Sequence, residues 1–584
     1  MRPITSIKIA VCIILFMLPT VRFESTLSGK PESYSALNPS FEANASAQVA
    51  VQTARGQSAF NFLAPAVKTA LPEPSVSVPG TGTDGKVLAG YYAGWSAATG
   101  YTPAAINAAW LTHIFYAFAD LGSDFRLRLG DPSADLKNFT ELRQLKVNHP
   151  GLKTLISVGG WTYSRYFSDA ASTAANRSVF AQSCLDFILA HGFDGVDIDW
   201  EYPVSGGLPT NTARAADKQN FSLLLRAVRE KLDAQSRADG KKYWLTAAGG
   251  AGAYYLSKIE PLNAAAEVDF LFVMAYDLHG PWDRYSDFNA PLYNTTAPSP
   301  QYKMSVRDAV EPYLAAGVPA SKIVLGMPFY GYKYNNVTAA GNGLFSLFTS
   351  AVSLSYDSIV KTYLNNINYT NFFDSQARVP YLYGNGTFIS YDNARSIAEK
   401  VKYAKALGLA GAGIWELSQD RGRVLLESAF RTLYSQLKPI ENSALVVDRE
   451  TGIVTGFDLK QNTAGQIRAM FEDAQNIAVT GPKGAPVPDT AKVGTGFKIT
   501  LADEYGDTLD AADAVVFGDT NSDGCVDAAD AALIQMLAAG MLQQPGTAAA
   551  LAADVNGDGI WNAEDAAAAE LAGLFLSEIP QNGR

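Results

Sequence analysis

Eight short apolar runs alternate with amphipathic stretches between residues 86 and 437, and this alternation constrains the fold more than any other feature. The runs are VLAGYYAGW, LTHIFYAFAD, LKTLISVGGW, FDGVDIDWEYP, YWLTAAGGAG, VDFLFVMAYD, KIVLGMPFYGY and LAGAGIWELSQD. Most are separated by helical patterns such as ARSIAEKVKYAKALG, and eight strands with intervening helices suit a (β/α)8 barrel. A doubly wound sheet is the competing topology, but no G-x-G-x-x-G follows the first run. We therefore predict an α/β fold with a TIM barrel over residues 85–438.

The interval between the last two runs is too long for a simple loop. The residues between KIVLGMPFYGY and ISYDNARS contain Tyr, Asn and Phe in short runs. Loops longer than about 12–15 residues without secondary structure are uncommon in compact domains. We predict an α+β subdomain inserted at residues 332–389.

The first 84 residues differ in character from the barrel region. A basic start and an apolar run ending before Pro19 indicate a signal peptide at residues 1–23, with an uncleaved anchor as the alternative. Residues 24–84 are rich in Ser, Ala, Pro and Gly and are predicted to be a linker or disordered leader. We expect a secreted, extracellular protein with no membrane span after signal removal.

Charge and cysteine content exclude other classes of protein. The formal net charge of −11 argues against nucleic-acid binding, which needs basic patches. Cys12 lies in the predicted signal peptide, so only Cys184 and Cys525 could pair in the mature protein. They fall in different predicted modules, and we expect both to be free thiols.

Two smaller modules follow the predicted barrel. LVVDRETGIVTGF and VGTGFKITLADEYGDTL resemble strands with polar turns, which predicts a small β-rich module at residues 443–516. In the remaining residues, 517–584, GDTNSDGCVDAADAALIQMLAAG is followed 35 residues later by the similar ADVNGDGIWNAEDAAAAELAGLF. The tail is therefore an internal repeat of two acidic loops, each followed by a helical run.

Three carboxylates occupy alternate positions of the fourth run. Asp197, Asp199 and Glu201 are two residues apart, so on one strand they would share a face at spacings of about 6.6 Å. Adjacent carboxyls in a barrel interior resist ionisation and share protons, which leaves one protonated as a general acid requires. The alternative is a metal site or a satisfied polar cluster, although no histidine is nearby.

Four motifs together carry a family resemblance. DGVDIDWEYP resembles the D-G-x-D-x-D-x-E signature of glycoside hydrolase family 18, the chitinases. SVGGW, MAYDLHGPW and GIWE resemble the family's third-, sixth- and eighth-strand motifs. The resemblance covers residues 86–437 and implies a secreted chitinase acting on chitin or N-acetylglucosamine oligosaccharides, without a cofactor for catalysis.

The resemblance also implies roles for individual residues. Glu201 would protonate the glycosidic oxygen while the substrate's own N-acetyl carbonyl attacks the anomeric carbon, giving an oxazolinium intermediate and net retention. Asp199 would hold the acetamido group, Asp197 would share a proton with Asp199, and Tyr276 would complete the catalytic set. The implied substrate-binding residues are Tyr91, Gly160, Trp161, Tyr202, Met274, Asp277, Trp282, Tyr330 and Trp415.

One departure and two alternatives stay open. Family members often have arginine where this chain has Tyr332, which puts contacts to the non-reducing-side sugars in doubt. An endo-β-N-acetylglucosaminidase acting on glycans or peptidoglycan would carry the same motif. A chitin-binding lectin would usually have lost the acid, and Glu201 is intact.

The repeated loops resemble those of a dockerin, an α-helical calcium-binding module. The resemblance implies two Ca²⁺ ions and a cohesin domain, on a scaffoldin or cell-surface protein, as partner. Few large apolar side chains occur in the tail, so we expect it to fold only with calcium. The implied ligands are Asp519, Asn521, Asp523, the Cys525 carbonyl, Asp527 and Asp530 in the first loop, and Asp554, Asn556, Asp558, the Ile560 carbonyl, Asn562 and Asp565 in the second.

Overall fold

A closed barrel of eight parallel strands forms the first part of the described structure. The computed structural model describes residues 85–543 and 545–581, so the predicted signal peptide and leader lie outside the described residues. The strands are β1 (Val87–Ala93), β2 (His113–Leu121), β4 (Lys153–Gly159), β5 (Gly195–Asp199), β6 (Trp244–Gly249), β7 (Phe270–Val273), β8 (Ile323–Pro328) and β14 (Gly411–Trp415). They close in the order β1-β2-β4-β5-β6-β7-β8-β14, with β14 returning to β1.

All eight predicted runs are barrel strands, so the TIM-barrel prediction is confirmed. A ninth strand, β3 (Leu127–Leu129), was not predicted and pairs antiparallel with the end of β2. The helices of this region are α1 (Pro132–Asn148), α2 (Gly160–Tyr163), α3 (Phe167–Ala171), α4 (Ala174–His191), α5 (Asp217–Asp239), α6 (Gly252–Leu256), α7 (Pro261–Glu267), α8 (Val306–Ala315), α10 (Ala394–Ala406) and α11 (Val424–Tyr434).

The long interval before β14 forms a five-stranded antiparallel sheet. The strands are β9 (Tyr330–Asn335), β10 (Ser350–Ser355), β11 (Thr370–Asp374), β12 (Val379–Gly384) and β13 (Thr387–Ser390). Their order in the sheet is β10-β9-β13-β12-β11, and one short helix, α9 (Tyr356–Ile359), crosses between strands. The sheet begins at Tyr330, two residues before the expected boundary, because β9 follows β8 almost directly.

Another five-stranded sheet follows the barrel. The strands are β15 (Val446–Asp448), β16 (Ile453–Thr455), β17 (Ile477–Thr480), β18 (Lys498–Ala502) and β19 (Thr508–Ala514), with α12 (Ala464–Ala469) between them. Their order is β15-β16-β19-β18-β17. The C-terminal repeat contains α13 (Ala528–Ala538), α14 (Thr547–Ala553) and α15 (Ala563–Gly573). Helix α14 was not predicted.

The β-rich sheet and the C-terminal helices share one hydrophobic core. Ile499 and Val516 from the sheet segment and Ile534 and Ala569 from the helices belong to the same buried cluster. This arrangement corrects our picture of an isolated tail, because the helices bury their small apolar faces against the sheet.

Within residues 85–543 and 545–581, no helix is long and apolar enough to cross a membrane. Cys184 is buried and Cys525 partly buried, and both are free thiols, as predicted.

Candidate active site

Asp197 is the innermost of the three carboxylates and is held by three hydroxyl groups. Ser157 and Thr246 lie directly opposite Asp197 on the neighbouring strands β4 and β6. Their hydroxyls donate to it at 2.7 Å each, and the Tyr91 hydroxyl donates at 2.8 Å. Burial raises the pKa of Asp197, and these hydrogen bonds oppose the rise.

Asp199 occupies the next inward position toward the carboxyl end of β5. It lies opposite Gly159, where an added Cβ would meet the Asp199 carbonyl oxygen at 2.3 Å, so the two main chains approach closely. Only 4% of Asp199 is exposed, and its Oδ1 has no hydrogen-bond partner among the described residues. Burial, followed by the charges of Glu201 and Asp197, raises its pKa well above the ordinary value. A buried acceptor without a partner is costly, so Asp199 is available for a polar group of a ligand.

Glu201 lies beyond the strand, not on it. Strand β5 ends at Asp199, and the Glu201 main chain is fixed outside the sheet by Ser164 and Asn211, at 2.9 and 3.0 Å. This corrects our placement of all three carboxylates on one strand. Burial raises the pKa of Glu201 to about 7, with a further contribution from Asp277, while the Tyr202 hydrogen bond lowers it. Near neutral pH, Glu201 can therefore both donate and accept a proton.

A second group of polar side chains lies beyond the end of β7. The Tyr332 hydroxyl donates to Asp277 Oδ1 at 2.7 Å, and the Tyr330 hydroxyl donates to the same oxygen. Burial raises the pKa of Asp277, and the hydrogen bonds from Tyr330 and Tyr332 oppose that rise. Tyr276 is buried, and the charges of Asp199 and Asp277 contribute to its raised pKa after burial itself.

Aromatic rings extend from the carboxylates to the surface. Trp415 contacts Tyr91 at 5.3 Å between ring centroids and stacks on Phe118 at 5.7 Å. Trp95 lies 6.3 Å beyond Phe118 and is 56% exposed, while Trp161 and Trp282 are 50% and 58% exposed. Solvent-exposed tryptophan rings are suited to stacking on the apolar faces of sugar rings.

The match to known families agrees with this geometry. Residues 87–420 match the model of the glycosyl hydrolases family 18. The chain belongs to glycoside hydrolase family 18. Residues 517–569 match the dockerin type I domain, so this family 18 enzyme also carries a C-terminal dockerin.

Relatives of the family 18 chain support the same conclusion. It is 37% identical over 513 residues to chitinase A1 of Niallia circulans, covering 76% of this chain and 73% of the relative. A solved family 18 N-acetylglucosaminidase from Paenibacillus barengoltzii is 36% identical with a TM-score of 0.55, covering 59% of this chain and 99% of that one. Chitinase ChiA74 from Bacillus thuringiensis is 29% identical with a TM-score of 0.58, covering 74% and 84%.

Most of the expected site residues in the family 18 barrel lie in this region, with different exposures. Tyr91 is only 1% exposed and bonds Asp197 inside the barrel, so it supports a carboxylate where we had expected a substrate contact. Gly160 is buried at a positive φ of 67°, where a Cβ would meet the Phe118 ring at 2.5 Å. Met274 is half-buried and donates its main-chain N–H to Gly249.

Sequence reasoning missed several contributors to the site. Ser157 and Thr246 could have been found from the strand register, because they share a layer with Asp197. Trp95, in the run VLAGYYAGW, and Phe118 carried no signal apart from being aromatic. Tyr332 was noted only as a departure from the family pattern, whereas the structure shows it bonded to Asp277.

A cavity of about 1010 Å³ lies at the opposite end of the barrel. Its lining includes His113, Lys153 and Trp244, which begin their strands, and none of the predicted site residues. The predicted site residues lie instead toward the carboxyl ends of the strands, where TIM-barrel enzymes have their active sites.

The two dockerin loops repeat the same internal hydrogen bonds. Asp519 accepts from the N–H groups of Asp523 and Gly524, and Asp554 accepts from Asp558 and Gly559. Both glycines have positive φ, 75° and 80°, as the sharp turn in a calcium loop requires. Among the described residues, no three His, Cys, Asp or Glu side chains converge as a metal-binding group. The loops nevertheless offer carboxylate, amide and carbonyl oxygens, the donor chemistry that suits Ca²⁺.

Proposed function

We propose that this chitinase hydrolyses β-1,4 bonds between N-acetylglucosamine units with retention of configuration, assisted by the substrate's own acetamido group. The observation that carries the proposal is the contrast among its carboxyls. Glu201 is half-buried with a pKa of about 7, whereas Asp199 is buried with an unpartnered Oδ1 and Asp197 is fully bonded. Of the three carboxyl groups, only Glu201 is partly exposed to a substrate and also has a pKa near neutral pH.

Glu201 would act first as the general acid and then as the general base. It donates its proton to the glycosidic oxygen as the bond to the leaving sugar breaks. It then removes a proton from the water that opens the oxazolinium intermediate. A group with a pKa near the working pH serves both steps well, because it is neither fully protonated nor fully ionised.

Asp199 and Tyr276 would hold the acetamido group during the attack. The unpartnered Asp199 Oδ1 can accept from the acetamido N–H, and the Tyr276 hydroxyl can donate to its carbonyl oxygen. The raised pKa of Asp199 favours its neutral form, which is a poor nucleophile. This supports the substrate carbonyl, not a protein carboxylate, as the attacking group.

The exposed tryptophans support a polymeric substrate. Trp415 would form the floor under the sugar that reacts, with Trp161 and Trp282 stacking on the leaving-group side. The Trp282 ring lies over Gly280, where a Cβ would overlap the indole. The remaining expected contacts, Tyr202, Met274, Asp277 and Tyr330, would orient the chain.

A second activity has a specific observation in its favour. The chain covers nearly all of the solved N-acetylglucosaminidase from Paenibacillus barengoltzii at 36% identity. Release of single sugars from chain ends therefore has to be tested beside internal cleavage. Mass spectrometry of products from chitin oligosaccharides, glycoprotein and cell walls distinguishes these activities, because each leaves products of a different size or linkage.

The dockerin would attach the enzyme to a cohesin outside the cell. We propose that each loop binds one Ca²⁺ through the residues named above, the ion supplying positive charge that offsets the clustered carboxylates. Export through the N-terminal signal would bring the dockerin to a cohesin on a scaffold or surface protein. Calcium-dependent capture of the intact chain by immobilised cohesins tests this part of the proposal.

The catalytic assignment is tested by Glu201→Gln. We expect kcat on chitin oligosaccharides to fall by about 10²–10⁴-fold, with little change in KM, because the acid acts mainly in the transition state. Retention of near-wild-type turnover would contradict the assignment.

A further inference from the structure

The two dockerin loops are equivalent in sequence but not in their surroundings. Gly524 of the first loop is buried, and a Cβ there would meet Lys492 Cβ at 2.8 Å and the Val493 carbonyl oxygen at 3.0 Å. Gly559 of the second loop is exposed, and a Cβ added there would meet no atom within 4 Å. The difference arises because the β-rich segment covers only the first loop.

Three hydrogen bonds join the first loop directly to the β-rich segment, and the one from Lys492 Nζ to Cys525 Sγ, at 3.0 Å, is exposed while the other two are buried. The Thr495 N–H donates to Asp519 Oδ2 at 2.8 Å, and the Asn462 side chain donates to the Gly524 carbonyl oxygen at 2.7 Å. Thr495 is itself fixed, because its hydroxyl both donates to and accepts from Val516 at 3.1 Å. Thr495, Asn462 and Asp519 are buried, so water does not compete strongly for the hydrogen bonds that they make.

The close fit between the first loop and the β-rich segment adds a steric constraint. A Cβ at Gly494 would come within 2.7 Å of the Gly524 nitrogen and 2.8 Å of the Ser522 carbonyl carbon. The first loop thus lies directly on the main chain of the β-rich segment. In the described second loop, by contrast, Asp554 and Asp558 bond only to groups of their own loop.

We infer that residues 443–516 hold the first calcium loop, residues 519–530, in its ligand-bearing shape, so that the two loops depend unequally on Ca²⁺. This inference rests on the proposed calcium-binding dockerin. The second loop, residues 554–565, buries Val555 in the shared core, but no hydrogen bond among the described residues joins it to residues 443–516. Calcium removal should therefore open the second loop while the first stays ordered, and the β-rich segment is an integral part of the dockerin fold.

Hydrogen–deuterium exchange on the intact chain, with excess Ca²⁺ or with EGTA, tests the inference. In EGTA we expect amides of the second loop to lose protection while those of the first loop exchange at least about tenfold more slowly. Equal loss of protection in both loops would overturn the inference. No response to EGTA in either loop would overturn the calcium assignment itself, and the inference with it.

A pair of glycine variants locates the effect. Gly494→Ala should push the first loop away and remove its protection in EGTA by about tenfold. Gly481→Ala is the matched control, because its Cβ would meet no atom closer than 3.8 Å in the same segment. If Gly494→Ala kept wild-type protection of the first loop in EGTA, the contact would not hold the loop. If Gly494→Ala fails to fold, the comparison of the two loops in the wild-type chain with EGTA still tests the inference.

Discussion

The Tyr332 hydroxyl donates a 2.7 Å hydrogen bond to Asp277 Oδ1, at a position where the family resemblance led us to expect arginine. Tyr330 donates to the same oxygen, and the Trp282 ring packs edge-on against Tyr332 at 5.8 Å. A neutral donor thus replaces a cation next to the carboxylate whose charge contributes to the raised pKa of Glu201.

Tyr332→Phe should shift the acid limb of the kcat/KM profile to higher pH. Loss of one donor raises the pKa of Asp277, so a higher pH is needed to form the carboxylate that we propose orients the substrate. We expect a shift of about half to one pH unit, because Tyr330 still bonds the same oxygen. Tyr334→Phe is the control, since among the described residues the buried Tyr334 hydroxyl makes no hydrogen bond to Asp277. An unmoved acid limb in Tyr332→Phe would argue against this role.

Thr246→Val should lower kcat by weakening the support of Asp197. The substitution removes one of three hydroxyl donors and leaves a buried carboxyl oxygen without that partner. We expect a loss of about 1–3 kcal/mol in the free energy of unfolding and a several-fold fall in kcat. Thr154→Val removes a hydroxyl contact to Asp194 elsewhere in the barrel, so it should affect stability but not kcat. Parallel losses of activity in both variants would contradict a specific role.

The strands were predictable from sequence because the apolar pattern marked all eight, and family motifs supported four of them. The hydroxyl cage around Asp197 was not, because it depends on the register between β4, β5 and β6. Glu201 was placed on the strand because the alternation of acids continues past Asp199. Its main-chain N–H instead donates to the Ser164 hydroxyl. This contact joins segments that are distant in sequence, and the periodicity of the sequence does not encode it.

The C-terminal region shows a different limit. Its small apolar side chains suggested that the tail could not fold alone, which treated residues 517–584 as isolated. Ile534 and Ala569 instead pack in one core with Ile499. A shared core between modules leaves no local signal, because its contacts join segments that are distant in sequence.

Glu201→Gln should be more stable than the wild type at alkaline pH. The folded-state pKa of about 7 lies above the ordinary value of 4.5, so ionisation of Glu201 destabilises the fold as pH rises between these values. The full shift corresponds to about 3 kcal/mol, and partial exposure reduces the expected gain to about 1–2 kcal/mol at pH 8. Urea unfolding at pH 8 and pH 4 measures the difference, which should vanish at pH 4. Glu427→Gln, on the surface, should show no such gain, and a loss of stability in Glu201→Gln at pH 8 would contradict the expectation.

Calcium titration should separate the dockerin from catalysis. Calorimetry on the intact chain should detect two Ca²⁺ sites, since both loops repeat the same turns. EGTA should leave hydrolysis of soluble chitin oligosaccharides unchanged, because no proposed catalytic residue contacts the loops. Fewer than two sites would contradict the dockerin proposal, and loss of hydrolysis in EGTA would contradict the independence of the barrel.

Substrate assistance is the central claim, and the acetamido group of the substrate tests it most directly. The measurement compares the rates at which the intact enzyme hydrolyses the fully acetylated chitin hexamer and the fully deacetylated hexamer of the same length. We predict cleavage of the acetylated hexamer and no detectable cleavage of the deacetylated one, because the latter lacks the attacking carbonyl. Comparable rates on the two hexamers would contradict the mechanism.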